Sequence, residues 1–206
     1  MNYFFVRHQK SKGNLDPSLY HIMNDHEIDL CHEHDHQSEN AADKIVDLAD
    51  LHGVRDRLFH LYHSPFLRTR KTKNLILKEL AYDYIFPTVN ENPLLGERRW
   101  GDLRNIIERE DNTDKYFDFY YQPLDGESFM DCYHRCVTFD NMLKHQVSNK
   151  DNVIIIGHGE QIRCYLMHLL GWTLEEFNEH KNPENCEVIM VKDGVLETSL
   201  RKRIKN

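Results

Sequence analysis

The sequence has little of what staples or breaks a chain. Its 206 residues include five Cys, six Pro, nine Gly and two Trp. The cysteines, Cys31, Cys132, Cys136, Cys164 and Cys186, are odd in number and form no C-x-x-C pair. That argues against a disulfide framework and for a reducing, cytoplasmic setting. Long apolar runs are missing: the longest that reads as a core strand is Val153–Ile156. Nothing approaches the ~20 apolar residues of a membrane-crossing helix, so no membrane partner is expected. Met1–Arg7 shows neither a basic n-region nor an apolar h-region, and no secretory signal is expected. Basic charge is also in deficit. Lys and Arg total 26 against 34 Asp and Glu, a formal charge of −8. This disfavours a nucleic-acid surface.

What the sequence has in excess is histidine. Protonating all 14 would carry the formal charge from −8 to +6. Cys31-His32-Glu33-His34-Asp35-His36 invites a metal site, because i and i+2 share a face of an extended segment. The plainer alternative is a solvated loop before a helix. Helical spacing of Ala41, Ile45, Leu48 and Ala49 predicts a helix over 38–52, capped by Ser38 and stopped by Gly53. Further helices are predicted over 68–80, 127–147 and 158–170. Strands are predicted at 3–6, 58–62, 85–88 and 153–156, with a hairpin, 187–191 and 195–199, about Lys192-Asp193-Gly194. Cys132 and Cys136, one turn apart, are expected in the core. The aromatic stretch Tyr116–Tyr121 is expected to pack, with a lid as the alternative. Strands alternating with helices predict an α/β fold: a mostly parallel sheet with helices on both faces. Nothing marks an internal repeat or linker, so residues 1–206 are taken as one domain.

Such sheets hold ligands beyond the carboxyl ends of their strands. Three predicted strand ends carry Arg7-His8, His63-Ser64-Pro65-Phe66-Leu67-Arg68-Thr69 and Gly157-His158-Gly159-Glu160. Guanidinium forks, imidazoles and a helix start with free N–H groups suit a phosphoryl group.

These segments carry a resemblance. F-F-V-R-H-Q-K-S, Y-H-S-P-F-L-R-T, L-L-G-E-R-R-W-G, G-E-S-F and I-I-I-G-H-G follow one another in the order found in the histidine phosphatase superfamily, in its phosphoglycerate mutase-like branch. The resemblance implies a three-layer α/β/α sandwich and a small phosphorylated substrate. It also implies His8 as nucleophile through a phosphohistidine, and Glu97 as general acid, with Glu160 second. Arg7, Arg68 and His158 match the phosphate clamp, Asn14 and Gly159 add phosphate contacts, and neither metal nor cofactor is needed. A non-enzymatic reading of Glu97 is a salt bridge with Arg98 or Arg99. Gln9 stands where the family usually has Gly, and is expected to narrow the pocket or add an amide donor to it. Residues 102–125 are short and acidic, with Asp102, Glu108, Glu110, Asp111 and Asp114, which favours hydrolysis over mutase action. A mutase, a non-catalytic phosphate binder and a homodimer stay open.

Overall fold

The computed structural model describes residues 1–54, 57–101, 118–198 and 200. The chain starts in strand β1 (Asn2–Arg7), then passes through helices α1 (Lys12–Leu15), α2 (Leu19–Ile22) and α3 (His36–Leu51). Next come β2 (Leu58–His63), α4 (Leu67–Leu80), β3 (Ile85–Glu91) and α5 (Phe129–Gln146). The remaining elements are β4 (Asn152–Gly157), α6 (Gly159–Leu170), α7 (Leu174–Glu179), β5 (Val188–Lys192) and β6 (Val195–Leu196). The strands form one sheet in the order β3-β2-β4-β1-β5-β6. β3, β2, β4 and β1 are parallel, and β5 and β6 extend the sheet by antiparallel pairing.

Successive strand residues face opposite sides, so each central strand feeds two cores. Tyr3, Phe5, Val153 and Ile155 pack with Phe129, Cys132, Cys136 and Phe139 of α5 and Tyr165 of α6. Phe4, Val6, Ile154 and Ile156 pack with Ala41 and Ile45 of α3 and Ile76 of α4. This is the expected α/β/α sandwich with a mostly parallel sheet. β4 shows no polar alternation because every one of its residues is buried. The chain leaves β1 toward β2 and β3, returns as β4 between β1 and β2, and continues past β1 to β5. The carboxyl ends of β1 and β4 therefore flank a topological switch point, where such sheets hold ligands.

Element boundaries differ from the predicted ones for local reasons. Helix α3 begins at His36 and not after Ser38. Ser38 is fully buried, and its hydroxyl donates to Gln9 Oε1 at 2.6 Å instead of capping the helix. Gly53 does stop this helix, with φ of +67°. Helix α5 starts at Phe129 because Ser128 and Asp131 cap each other reciprocally. The 192–195 turn has positive φ at Asp193 and Gly194, as a two-residue hairpin requires. β6 stops at Leu196: the Met190 N–H goes to the Thr198 hydroxyl, and Ser199 lies outside the described residues. Among the described residues no helix is long and apolar enough to cross a membrane.

Candidate active site

Register brings the three strand-end segments together. Val6 pairs with Ile156, and Ile156 with His63. Immediately beyond, the His8 N–H donates to the Gly157 carbonyl at 2.9 Å and the Ser64 N–H to the Ile156 carbonyl at 3.1 Å. His8, Ser64 and His158 thus emerge side by side. The Thr69 hydroxyl donates back to the Ser64 carbonyl at 2.8 Å, closing the turn that carries Arg68 onto the start of α4.

His8 is 3% exposed, and its Nδ1 lies 2.7 Å from the Gln9 carbonyl. A carbonyl can only accept, so Nδ1 carries the proton and Nε2 keeps its lone pair in the neutral ring. Burial, then the positive charges of Arg68 and Arg7, holds the His8 pKa well below the usual imidazole range. The ring is accordingly neutral at pH 7. The His158 ring lies 5.3 Å away between centroids, with its Nε2 2.8 Å from Ser64 Oγ. Phe66 packs edgewise on His158, centroids 4.8 Å apart, and covers the Arg68 guanidinium at 4.9 Å.

The donors around His8 are only partly used by the protein. Arg7 donates to the Pro183 carbonyl at 2.6 Å. Arg68 donates through one terminal nitrogen to both the carbonyl (2.6 Å) and carboxylate (2.8 Å) of Asp25. Arg7 Nε, Arg68 Nε and His158 Nδ1 are buried without a hydrogen-bond partner. Buried polar atoms are seldom left so. Asn14 Oδ1 accepts from the Ser11 N–H and from Asn185 Nδ2, each at 3.1 Å. That fixes the amide and leaves Nδ2 as its donor end.

Glu97 lies at the start of α6. Its Oε1 accepts from the backbone N–H groups of Arg98 and Gln161, each at 3.0 Å, and its Oε2 from that of Glu160 at 3.4 Å. Two of the helix-start N–H groups, those of Glu160 and Gln161, are thus turned on this carboxyl. Gly159 packs against Asn182, which a Cβ would approach to 3.1 Å. Burial among protein atoms, and then the negative charge of Glu160, pushes the Glu97 pKa up to about 7. No salt bridge involves Glu97 among the described residues. Arg98 pairs with Glu160, Nε to Oε2 at 2.7 Å, and Arg99 with Glu127 at 3.8 Å. Glu160, expected as the second candidate acid, is held in an ion pair with Arg98. Arg98 is fully buried in this pair and lies over the Phe129 ring at 4.3 Å. Arg98→Met should destabilise the fold by about 3–5 kcal/mol, because it strands a buried carboxylate. Urea unfolding at pH 7 checks this.

The structure adds residues that sequence reasoning missed. Tyr20 packs on Gly13, where a Cβ would come within 2.9 Å of its ring. Its phenol sits in the field of Arg68, Asp25, Glu97 and Arg7. Asp25, the partner of Arg68, follows α2 in a single turn with no periodic pattern, and only the glycine at 13 hinted at a close approach. Other expectations resolve differently. Gln9 does not enter the pocket: its side chain turns away, to Asp35 and Cys31. In the histidine-rich stretch His32 contacts Asp35 at 3.5 Å, and His34 and His36 lie 6.0 Å apart between ring centroids. Among the described residues no group of three or more His, Cys, Asp or Glu could hold a metal ion. Cys132 and Cys136 are buried core residues, as expected. Phe119 packs against Phe177 and Phe129 rather than covering the site. Tyr116 and Phe117, and the acidic positions from Asp102 to Asp114, lie outside the described residues.

Known proteins are similar to this chain. The chain is 30% identical over 207 residues to phosphoglycerate mutase-like protein AT74H of Arabidopsis thaliana, covering 92% of this chain and 73% of that one. It is 28% identical over 117 residues to the broad-range acid phosphatase DET1 of Saccharomyces cerevisiae, covering 52% of this chain and 35% of that protein. A solved mycobacterial glucosyl-3-phosphoglycerate phosphatase superposes with a TM-score of 0.71 at 17% identity, covering 99% and 96% of the two chains, a likeness of fold. The sequence profile of the histidine phosphatase superfamily (branch 1) matches residues 3–195, and the chain belongs to that family.

Proposed function

We propose that this chain hydrolyses a small phosphomonoester, without a metal, through a phosphohistidine on His8. The supporting observation is that Arg7 Nε, Arg68 Nε and His158 Nδ1, on three residues that neighbour His8, are buried without a hydrogen-bond partner, beside an imidazole whose Nδ1 is taken up by the Gln9 carbonyl. A phosphoryl group would satisfy these donors, and the positive field would localise an anion on an acidic chain.

In the first step the Nε2 lone pair attacks phosphorus in line. The bond to the leaving oxygen breaks, and Glu97 gives that oxygen its proton. Arg7, Arg68 and His158 stabilise charge on the equatorial oxygens, and Asn14 Nδ2 adds a donor at the rim. In the second step water attacks the phosphohistidine and Glu97 takes the water proton. Phosphate leaves and His8 is restored.

Hydrolysis is favoured over phosphoryl return by the short, acidic composition of residues 102–125, where mutases of this branch are generally longer and more basic. Among the relatives, the yeast protein and the mycobacterial enzyme are named phosphatases. The test is a phosphomonoester panel assayed with EDTA, combined with quenching to trap phosphoenzyme. Phosphate release in EDTA together with acid-labile, base-stable phosphoprotein is the expected result. Phosphoglycerate interconversion primed by a bisphosphate, with little phosphate release, would establish a mutase instead. No release from any ester would leave a phosphate-binding protein.

A further inference from the structure

We propose that Gln9 is a positioning residue: it bolts the peptide that holds His8 to the histidine-rich loop 31–35, making that loop part of the catalytic scaffold. The proposal rests on His8 being the nucleophile, and concerns how this chain, with Gln in place of the family's usual Gly, keeps that imidazole in place.

The Gln9 peptide is held on every side. Its carbonyl accepts from His8 Nδ1 at 2.7 Å, and its N–H donates to Thr72 Oγ1 at 3.0 Å. Thr72 in turn donates to the Arg68 carbonyl at 2.7 Å, so one chain of bonds connects the His8 acceptor to the helix turn bearing Arg68. The side chain is fully buried and fully used. Nε2 donates to Asp35 Oδ1 at 2.7 Å and to the Cys31 carbonyl at 3.2 Å, while Oε1 accepts from the Ser38 hydroxyl at 2.6 Å. Both Asp35 and the Cys31 carbonyl are acceptors, so the amide can stand only one way round. Backbone bonds also join this loop to the segment after β1, with the Cys31 N–H donating to the Lys10 carbonyl at 2.9 Å.

A glycine here could keep the carbonyl acceptor but none of the three side-chain bonds. The loop would then lose its buried anchor, and the peptide that sets the His8 tautomer would gain freedom. Nucleophilic attack is sensitive to such displacement, since reacting atoms must be held near contact distance and alignment. Asp35 thus has a use in this fold that needs no metal: it is the charged acceptor that orients Gln9.

The test compares Gln9→Met, which keeps length and burial but removes all three bonds, with Gln9→Glu, which sets a carboxylate against Asp35 and the Cys31 carbonyl. Both should lower kcat by about tenfold or more per folded molecule and shift KM by less than about threefold. Adding Asp35→Asn to Gln9→Glu restores a donor–acceptor pair in reversed sense and should recover part of kcat. The independent readout is the His8 Nδ1 proton in imidazole NMR, which should exchange faster with solvent in both single variants than in the wild type. Unchanged kcat with an unchanged Nδ1 proton, whatever happens to Tm, would overturn the proposal. So would a lowered Tm alone, since that is what a structural glutamine gives. If the wild type releases no phosphate from any ester, the NMR result still decides the positioning claim, separately from the proposed hydrolysis.

Discussion

His8→Ala should abolish phosphate release, lowering kcat by about 10⁴-fold or more, the scale on which removal of a covalent nucleophile is felt. The group removed is the one whose Nε2 lone pair would form the N–P bond. Water lacks its proximity, because His8 is held between the Gly157 carbonyl at its backbone and the Gln9 carbonyl at its ring. The variant should nevertheless keep the pocket. The backbone bond to Gly157 does not depend on the ring, and the polar groups of Arg7, Arg68 and His158 are on other side chains. Calorimetric binding of inorganic phosphate should therefore survive in His8→Ala, while phosphoenzyme disappears from quenched reactions. Turnover at the wild-type rate would exclude a phosphohistidine on this residue. Loss of phosphate binding together with loss of fold would show that the ring is needed for the pocket itself, and His8→Gln, which fills more of the space, then separates the two effects.

How far such a site can be read from a sequence depends on where each group sits. His8, Arg68 and His158 were legible because β1, β2 and β4 have unmistakable apolar runs and the ligand rule for parallel sheets names their carboxyl ends. Register then does the rest, setting Val6 beside Ile156 and Ile156 beside His63. Glu97 follows no strand; it comes after the single turn Pro93–Leu95 and reaches the site only because α6 begins there. Nothing in local periodicity could place it, and the motif resemblance alone pointed to it. Tyr20 and Asp25 lie in or after one-turn helices too short to show a period. The fate of donors was the least legible feature. The start of α6 looks like a phosphate cradle in sequence, yet two of its N–H groups, those of Glu160 and Gln161, meet Glu97. Likewise Ser38 looks like a cap, yet Gln9 reaches its hydroxyl first. Which acceptor arrives at a donor is a property of packing, not of spacing.

Glu97→Gln should slow hydrolysis of alkyl phosphates by about 10²–10⁴-fold, the usual worth of general acid catalysis. It should have little effect on aryl phosphates whose leaving oxygen needs no proton. The two substrate classes therefore separate proton donation from binding, since a pure binding role would slow both alike. pH gives the second signature. Glu97, held at about 7 by burial and the Glu160 charge, is a proton donor below that pH and a carboxylate above it. His8, whose pKa burial and then Arg68 and Arg7 depress well below the imidazole norm, becomes protonated and non-nucleophilic only in more acid solution. For alkyl esters kcat/KM should therefore form a bell with its alkaline limb starting near pH 7. Glu97→Gln should remove that limb and leave the acid one. Linkage requires a matching trend in stability. The folded Glu97 pKa lies above its unfolded value of 4.5, so the native state binds more protons across that interval and loses stability as pH rises through it toward 7. Urea midpoints measured from pH 4.5 to 7.5 should fall less steeply in Glu97→Gln than in the wild type. An unchanged alkaline limb in the variant would assign the proton to another group, and parallel urea slopes would place the Glu97 pKa near its unfolded value, where it could not serve as an acid at neutral pH.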